Sequence, residues 1–252
     1  MLYKYLYSSA IGEKDLVSDI VVNDYRTADV FRKYGINFCC GGKIPLETAC
    51  RASGVDTFKM ITELELTIAK QYISPSISYN NWSISFLTEY INNVHHSYLK
   101  KALPEISDYL ERFVEGHSKK FPYLHELQAD FMHLYKELIP HMEKEEHVIF
   151  PYISQIENAY LKDEPYAALL VRTLRKPVEN MMHHEHMLVS KTLIKFRDLT
   201  GNYALPVNAC VNHKVTFLKL SELDNDLVQH MHLENNVLFP KALSMEKVLL
   251  AR

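Results

Sequence analysis

The sequence predicts an all-α protein, a four-helix bundle preceded by a small helical domain. Three observations lead there. Glycine is scarce, 7 in 252 residues, where ordinary usage would give roughly 18, so few tight turns are available for a many-stranded sheet. Beyond residue 82, long segments carry helical periodicity and are separated by breakers. Histidine, 13 in all, is absent before residue 95 and then recurs within matching text, dividing the chain into a histidine-free front and a histidine-rich body.

In the front domain, residues 1–75, Thr27 is expected to cap a short helix through Tyr34, and Gly35 to end it. The stretch Asn37-Phe-Cys-Cys-Gly-Gly-Lys43 reads as a loop, with Pro45 at the first position of the next helix. Gly54 stops that helix, and Asp56 caps another that runs to about Tyr72. Residues 74–81, polar and proline-bearing, form a linker.

The body, residues 82–246, divides at Gly116, Phe121-Pro122, 163–165, Gly201 and Pro206 into four helices near 82–115, 122–157, 166–198 and 207–246. Pro104, Pro140, Pro151, Pro177 and Pro240 fall within or at the ends of these helices, where kinks or local ends are expected. Four long helices joined by shorter loops make a four-helix bundle.

Composition excludes several functions. With 47% apolar and 23% charged residues the chain is globular. Its 28 Lys+Arg against 31 Asp+Glu leave no basic excess for nucleic acid or an anionic membrane. No apolar run is long enough for a transmembrane helix, and the first residues lack the apolar core of a signal peptide. Four cysteines, two of them adjacent, form no disulfide framework, so a reducing, cytoplasmic setting is expected.

The repeat carries the chemistry. His141-Met-Glu-Lys-Glu145-Glu-His-Val-Ile-Phe-Pro151 matches His230-Met-His-Leu-Glu234-Asn-Asn-Val-Leu-Phe-Pro240 in His, Met, Glu, Val, Phe and Pro. A weaker echo pairs His96-Ser-Tyr-Leu-Lys-Lys-Ala-Leu103 with His186-Met-Leu-Val-Ser-Lys-Thr-Leu193. His141 follows His96 by 45 residues, and His230 follows His186 by 44. An i, i+4 spacing stacks His141 on Glu145, and His230 on Glu234, one turn apart on a helix face. Four imidazoles and two carboxylates gathered in a bundle core would be too costly to desolvate bare, and two cations resolve the cost. Donors of this kind, without thiolate, suit iron or manganese better than structural zinc. With two carboxylates and an oxo or hydroxo bridging octahedral ions, about one position per ion stays open for a small molecule.

By distance alone, His95 or His96, and His183, His184 or His186, can fill the upstream places. The Lys101/Lys191 and Leu103/Leu193 matches favour His96 with His186. His232 points away from the face of Glu234, which favours His230. His117, His125, His133, His147, His213 and His232 are expected at the surface or behind the ligands. Met142 and Met231 read as core, and Cys50 and Cys210 as structural.

These motifs resemble the Repair of Iron Centres family, iron–sulfur cluster repair di-iron proteins with a hemerythrin-like domain. The likeness covers nearly the whole chain. Tyr34-Gly-Ile-Asn-Phe-Cys-Cys-Gly-Gly-Lys43 is similar to that family's short cysteine-bearing domain, and the two His-x-x-x-Glu segments to its metal motifs. His96 ahead of Leu103-Pro104, and His186 in a Glu-His pair, match its remaining ligands. The resemblance implies a hemerythrin-like four-helix bundle whose metal ligands are His96, His141, Glu145, His186, His230 and Glu234, with Glu145 and Glu234 bridging two irons. It also implies repair of iron–sulfur proteins damaged by oxidative or nitrosative stress, by supplying iron, as a homodimer. The segment 158–176 is longer than that pattern but touches no motif. An open di-iron site equally suits binding or sensing of dioxygen or nitric oxide, or reduction of nitric oxide. Cys39 and Cys40, ahead of a helix N-terminus with Lys43 nearby, are candidate reactive thiols that could take electrons, capture nitric oxide or hold iron in transit; two small buried apolar residues are the plainer reading.

Overall fold

The computed structural model describes residues 11–24, 26–38, 42–68, 79–162, 171 and 178–251. Among them regular structure is helical, and the only strand-like pairing is an isolated bridge between Leu16 and Pro45. The chain separates into two compact units, one of 1–75 with 203–220 and one of 76–202 with 221–252.

In the first unit lie α1 (Val17–Asn23), α2 (Thr27–Lys33), α3 (Leu46–Ala52) and α4 (Thr57–Ile68). Gly35 and Gly54 end α2 and α3 at φ 67° and 66°, a region a Cβ would disfavour. The Asp56 carboxylate accepts from Lys59 N at 2.8 Å, as expected of the α4 cap. The expected cap at Thr27 is instead the first residue of α2. Its buried hydroxyl donates to Asp24 O at 2.6 Å, and the Asp24 carboxylate takes the Arg26 N–H at 3.0 Å. Pro45 stands one place earlier than expected, at the cap of α3. Residues 203–220 join this unit through the buried Lys219, whose ammonium pairs with Asp29 of α2 at 2.6 Å.

Four helical runs make up the rest, the last of them belonging to the second unit from residue 221 onward. The first comprises α5 (Ile84–Tyr90), a π turn over Ile91–His96, and α6 (Ser97–His117). The second comprises α7 (Leu124–Lys144), a π turn over Glu145–Ile149, and α8 (Phe150–Leu161). α9 (Val178–Thr200) is the third, and α10 (Val211–Leu233), a π turn over Glu234–Leu238 and α11 (Phe239–Leu250) form the last. α6 and α9 pack along α7, while α5 and α11 pack along α8.

The prolines explain part of this pattern. Pro151 and Pro240 each follow a π turn at the first positions of α8 and α11. A proline has no N–H for the preceding turn and its ring crowds that carbonyl; widening by one residue just before it accommodates both defects. Pro104 and Pro140 lie inside α6 and α7. Beside the π turns, Ile84, Leu87, Ile91, Ile149, Phe150, Ile153, Leu233, Val237, Leu238 and Phe239 close into one buried apolar cluster.

The start of α5 is fully satisfied. Glu157 of α8, buried, accepts from Ile84 N at 2.7 Å and Ser85 N at 2.9 Å, while the Ser83 hydroxyl accepts from Phe86 N at 3.2 Å. These are donors that a helix N-terminus otherwise leaves orphaned. Glu157→Ala strands two of them in a buried site and is expected to lower unfolding free energy by about 2 kcal/mol. Glu157→Gln, which keeps an acceptor, should lose less; urea midpoints of the metal-free proteins check both.

Candidate metal centre

Helix periodicity and the π turns set six side chains against one another. His96 closes the first π turn, Glu145 and Glu234 open the other two, His141 and His230 sit four residues ahead of those glutamates, and His186 lies on the uninterrupted α9. All six are buried, with His96, Glu145 and Glu234 at 0% exposure, although no apolar partner could compensate them.

They form two overlapping groups. His96, Glu145, His230 and Glu234 offer donor atoms within 4.8 Å of one another, and so do His141, Glu145, His186 and Glu234. Both glutamates belong to both groups. The imidazoles pair across the halves of the repeat: His96 Nε2 lies 3.2 Å from His230 Nε2, and His186 Nε2 lies 3.3 Å from His141 Nε2. Glu145 is 3.3 Å from both His96 and His141, and Glu234 is 3.0 Å from His230 and 3.2 Å from His186.

Hydrogen bonding alone does not account for this packing. Both Glu145 oxygens and Glu234 Oε2 are buried and accept no hydrogen bond, a rare and costly condition. Three of the imidazoles turn Nδ1 outward to an acceptor: His96 to Glu146 at 2.7 Å, His141 to Glu185 at 2.7 Å and His186 to Asn235 at 2.9 Å. An Nδ1–H donated outward leaves the Nε2 lone pair facing the centre. Adjacent ligands of one octahedral ion, at donor–metal distances of about 2.1 Å, stand about 3.0 Å apart, close to the spacings seen. The residues therefore fit a pair of cations, and imidazole with carboxylate suits iron or manganese.

Electrostatics agree. Burial, with the neighbouring charge of His230, holds the His96 imidazole down at about 4, so it stays neutral, and burial lowers His141 too. Burial and the charge of Glu234 push Glu145 well above the carboxylate range. Two carboxylates this close cannot both ionise in a dry site unless a positive charge joins them.

Side chains behind the six support them. Lys100 holds Glu146 at 2.8 Å and Lys144 holds Glu185 at 2.9 Å. His95, the alternative to His96, is buried but bonds Asp226 at 2.9 Å and belongs to neither group. His184 and His232 are exposed, as are His125, His133 and His147. His213 is instead buried, edge-on to Phe217. Met142 and Met231 are core residues as expected. Burial raises the Cys50 thiol, consistent with a structural residue, and Cys210 is half-buried. Cys39 and Cys40 lie outside the described residues. The signal for Glu146 and Glu185 was present in sequence, since each adjoins a residue of the centre.

A bundle with two His/Glu groups sharing their carboxylates defines the hemerythrin class. The model of the hemerythrin HHE cation binding domain matches residues 93–242, and a domain of unknown function, DUF542, matches 13–67. The iron-sulfur cluster repair protein YtfE of Edwardsiella ictaluri is 31% identical over 90% of this chain and 96% of its own length. YtfE of Pectobacterium carotovorum is 32% identical over 88% and 93%. The iron-sulfur cluster repair protein ScdA of Staphylococcus epidermidis is 27% identical over 92% and 99%. This chain belongs to the iron–sulfur cluster repair, or Repair of Iron Centres, family. No helix among the described residues is long and apolar enough to cross a membrane.

The motif phenylalanines wall the centre. Phe150 stacks on His96 at 5.8 Å and Phe239 on His186 at 6.4 Å. Phe150→Ala is expected to cost about 3 kcal/mol, from lost burial and the cavity left behind, read as a fall in the denaturant midpoint with helix content retained.

Proposed function

We propose that this protein holds two iron ions, bridged by Glu145 and Glu234, and donates iron during repair of iron–sulfur clusters damaged by oxidative or nitrosative stress. The observation that carries this reading is the sharing of both glutamates between two His₂Glu₂ groups, with both carboxylate oxygens of Glu145 left without a hydrogen bond. His96 and His230 serve one ion and His141 and His186 the other. The relatives ScdA and YtfE are iron-sulfur cluster repair proteins, which supports the repair activity. Iron held there supplies the metal that a damaged cluster has lost, and further oxo or hydroxo bridging is part of the same reading.

The chain's own residues suit retention that is firm but not permanent. Glu146, Glu185 and Asn235 fix three imidazole tautomers, and Phe150 and Phe239 keep water from two faces. No thiolate is among the six donors, and carboxylates and imidazoles release their ions on protonation or exchange more readily than a thiolate cage does. We assign the metal centre to the helices within 82–246 and the recipient-facing role to the front domain, 1–75, with Cys39 and Cys40 meeting the recipient protein or carrying iron in transit, in a cytoplasmic homodimer.

Metal analysis should find iron at two per chain. Glu145→Ala or Glu234→Ala removes a bridge and should lower iron substantially, with far-ultraviolet circular dichroism nearly unchanged. Protein loaded with isotopically labelled iron should pass label to a damaged cluster; a repaired cluster without label would overturn donation, and reversible uptake of dioxygen or nitric oxide without iron loss would favour a sensor. The double variant Cys39→Ala, Cys40→Ala should keep its iron and lose most repair, measured as recovered activity of a cluster-dependent enzyme.

A further inference from the structure

The repeat makes the two halves of the centre comparable position by position, and the comparison shows an inequality. The residue after each bridging glutamate faces the upstream histidine of its own half: Glu146 meets His96 at 2.7 Å, and Asn235 meets His186 at 2.9 Å. The residue before each upstream histidine faces the downstream histidine of the other half. Glu185 obeys this, meeting His141 Nδ1 at 2.7 Å. Its counterpart is residue 95, which would meet His230, and there the chain has histidine in place of glutamate.

His95 does not perform that task. Its Nδ1 is turned to Asp226 Oδ1 at 2.9 Å, and its ring lies parallel to the His230 ring, 5.6 Å away at 10°. His230 Nδ1 is buried and has no hydrogen-bond partner, and His95 Nε2 and Asp226 Oδ2 are likewise unsatisfied. Lysines brace one glutamate at each position, Lys100 on Glu146 and Lys144 on Glu185, so the inequality lies in His230 and not in the lysines.

We propose that the two metal positions are unequal, and that the ion between His96 and His230 is the one released first, with His95 as the positioning residue that leaves His230 unsupported. This deepens the di-iron reading and rests on it. An imidazole whose second nitrogen is held by an acceptor is fixed in orientation and more basic toward the metal, and losing that acceptor lowers affinity about 10–100-fold. Both imidazoles of the His141/His186 position are so held, against one of two at the His96/His230 position.

The test is release kinetics of the full-length protein loaded with ferrous iron, mixed with excess chromogenic ferrous chelator. Wild type should release its iron in two phases of equal amplitude whose rates differ about 10–100-fold. His95→Glu restores the carboxylate found at position 185 and should slow the fast phase toward the slow one. His95→Gln offers a neutral acceptor of the kind Asn235 provides, avoids a new buried charge, and should slow it in part. Glu185→Ala removes the support of His141 and should convert the slow phase to a fast one. A single phase in wild type, or His95 variants with the fast phase unmoved, overturns the inference while leaving the di-iron reading standing. Uptake of fewer than two ions at the loading step overturns both.

Discussion

Placing two glutamates and four histidines where water cannot reach them is the constraint around which the bundle is organised. A buried carboxylate without hydrogen bonds costs several kcal/mol, and Glu145 stands in that condition with both oxygens. Burial pushes the imidazoles of His96 and His141 toward neutrality and lifts Glu145, while Glu234 holds His186 in its charged form and is itself held ionised by His230 and His186. Cations bound between these donors would turn the opposed costs into one favourable arrangement. Metal uptake there would be coupled to folding, since the binding free energy of a site that the unfolded chain lacks counts as stability.

The backbone meets the same constraint. An α-helix presents i and i+4 on one face but gives no control over how deeply each reaches. Three of the four runs widen into a π turn where they meet the centre, and such turns are characteristic of functional sites. In two of them the widening directly precedes a proline, so the feature that spoils a regular helix is used where irregularity has a purpose. The fourth run, carrying His186, remains regular. The halves of the repeat are thus related in sequence but not identical in backbone, and the outer partners of their histidines differ as well.

The iron donation proposed above sets a requirement on the donor chemistry of the centre. A repair protein that gives up metal needs a site strong enough to load and weak enough to empty. Carboxylates and imidazoles braced by salt-bridged glutamates, with Lys100 on Glu146 and Lys144 on Glu185, give such a middle course. Both of these ion pairs reach solvent, so they tune the ligands at modest cost compared with a fully buried charge.

Helical class and the six central residues were legible in the linear chain for a simple reason. Helix periodicity is local, and a site that must place equivalent donors on facing helices leaves the same residues at the same offsets twice, as in His141 to Pro151 and His230 to Pro240. Upstream histidines were less sharply marked, because His95 and His96 differ by one residue and a helix face spans more than one position; the π turn at Ile91–His96 decided for His96 by directing it inward and His95 toward Asp226. Tertiary structure alone decided that His96 pairs with His230 and His141 with His186, since pairing between helices depends on three-dimensional packing, about which spacing along one helix is silent. It also decided that 203–220 belong with the first unit, where burial of Lys219 against Asp29 joins residues 190 positions apart, a distance over which no local pattern carries information.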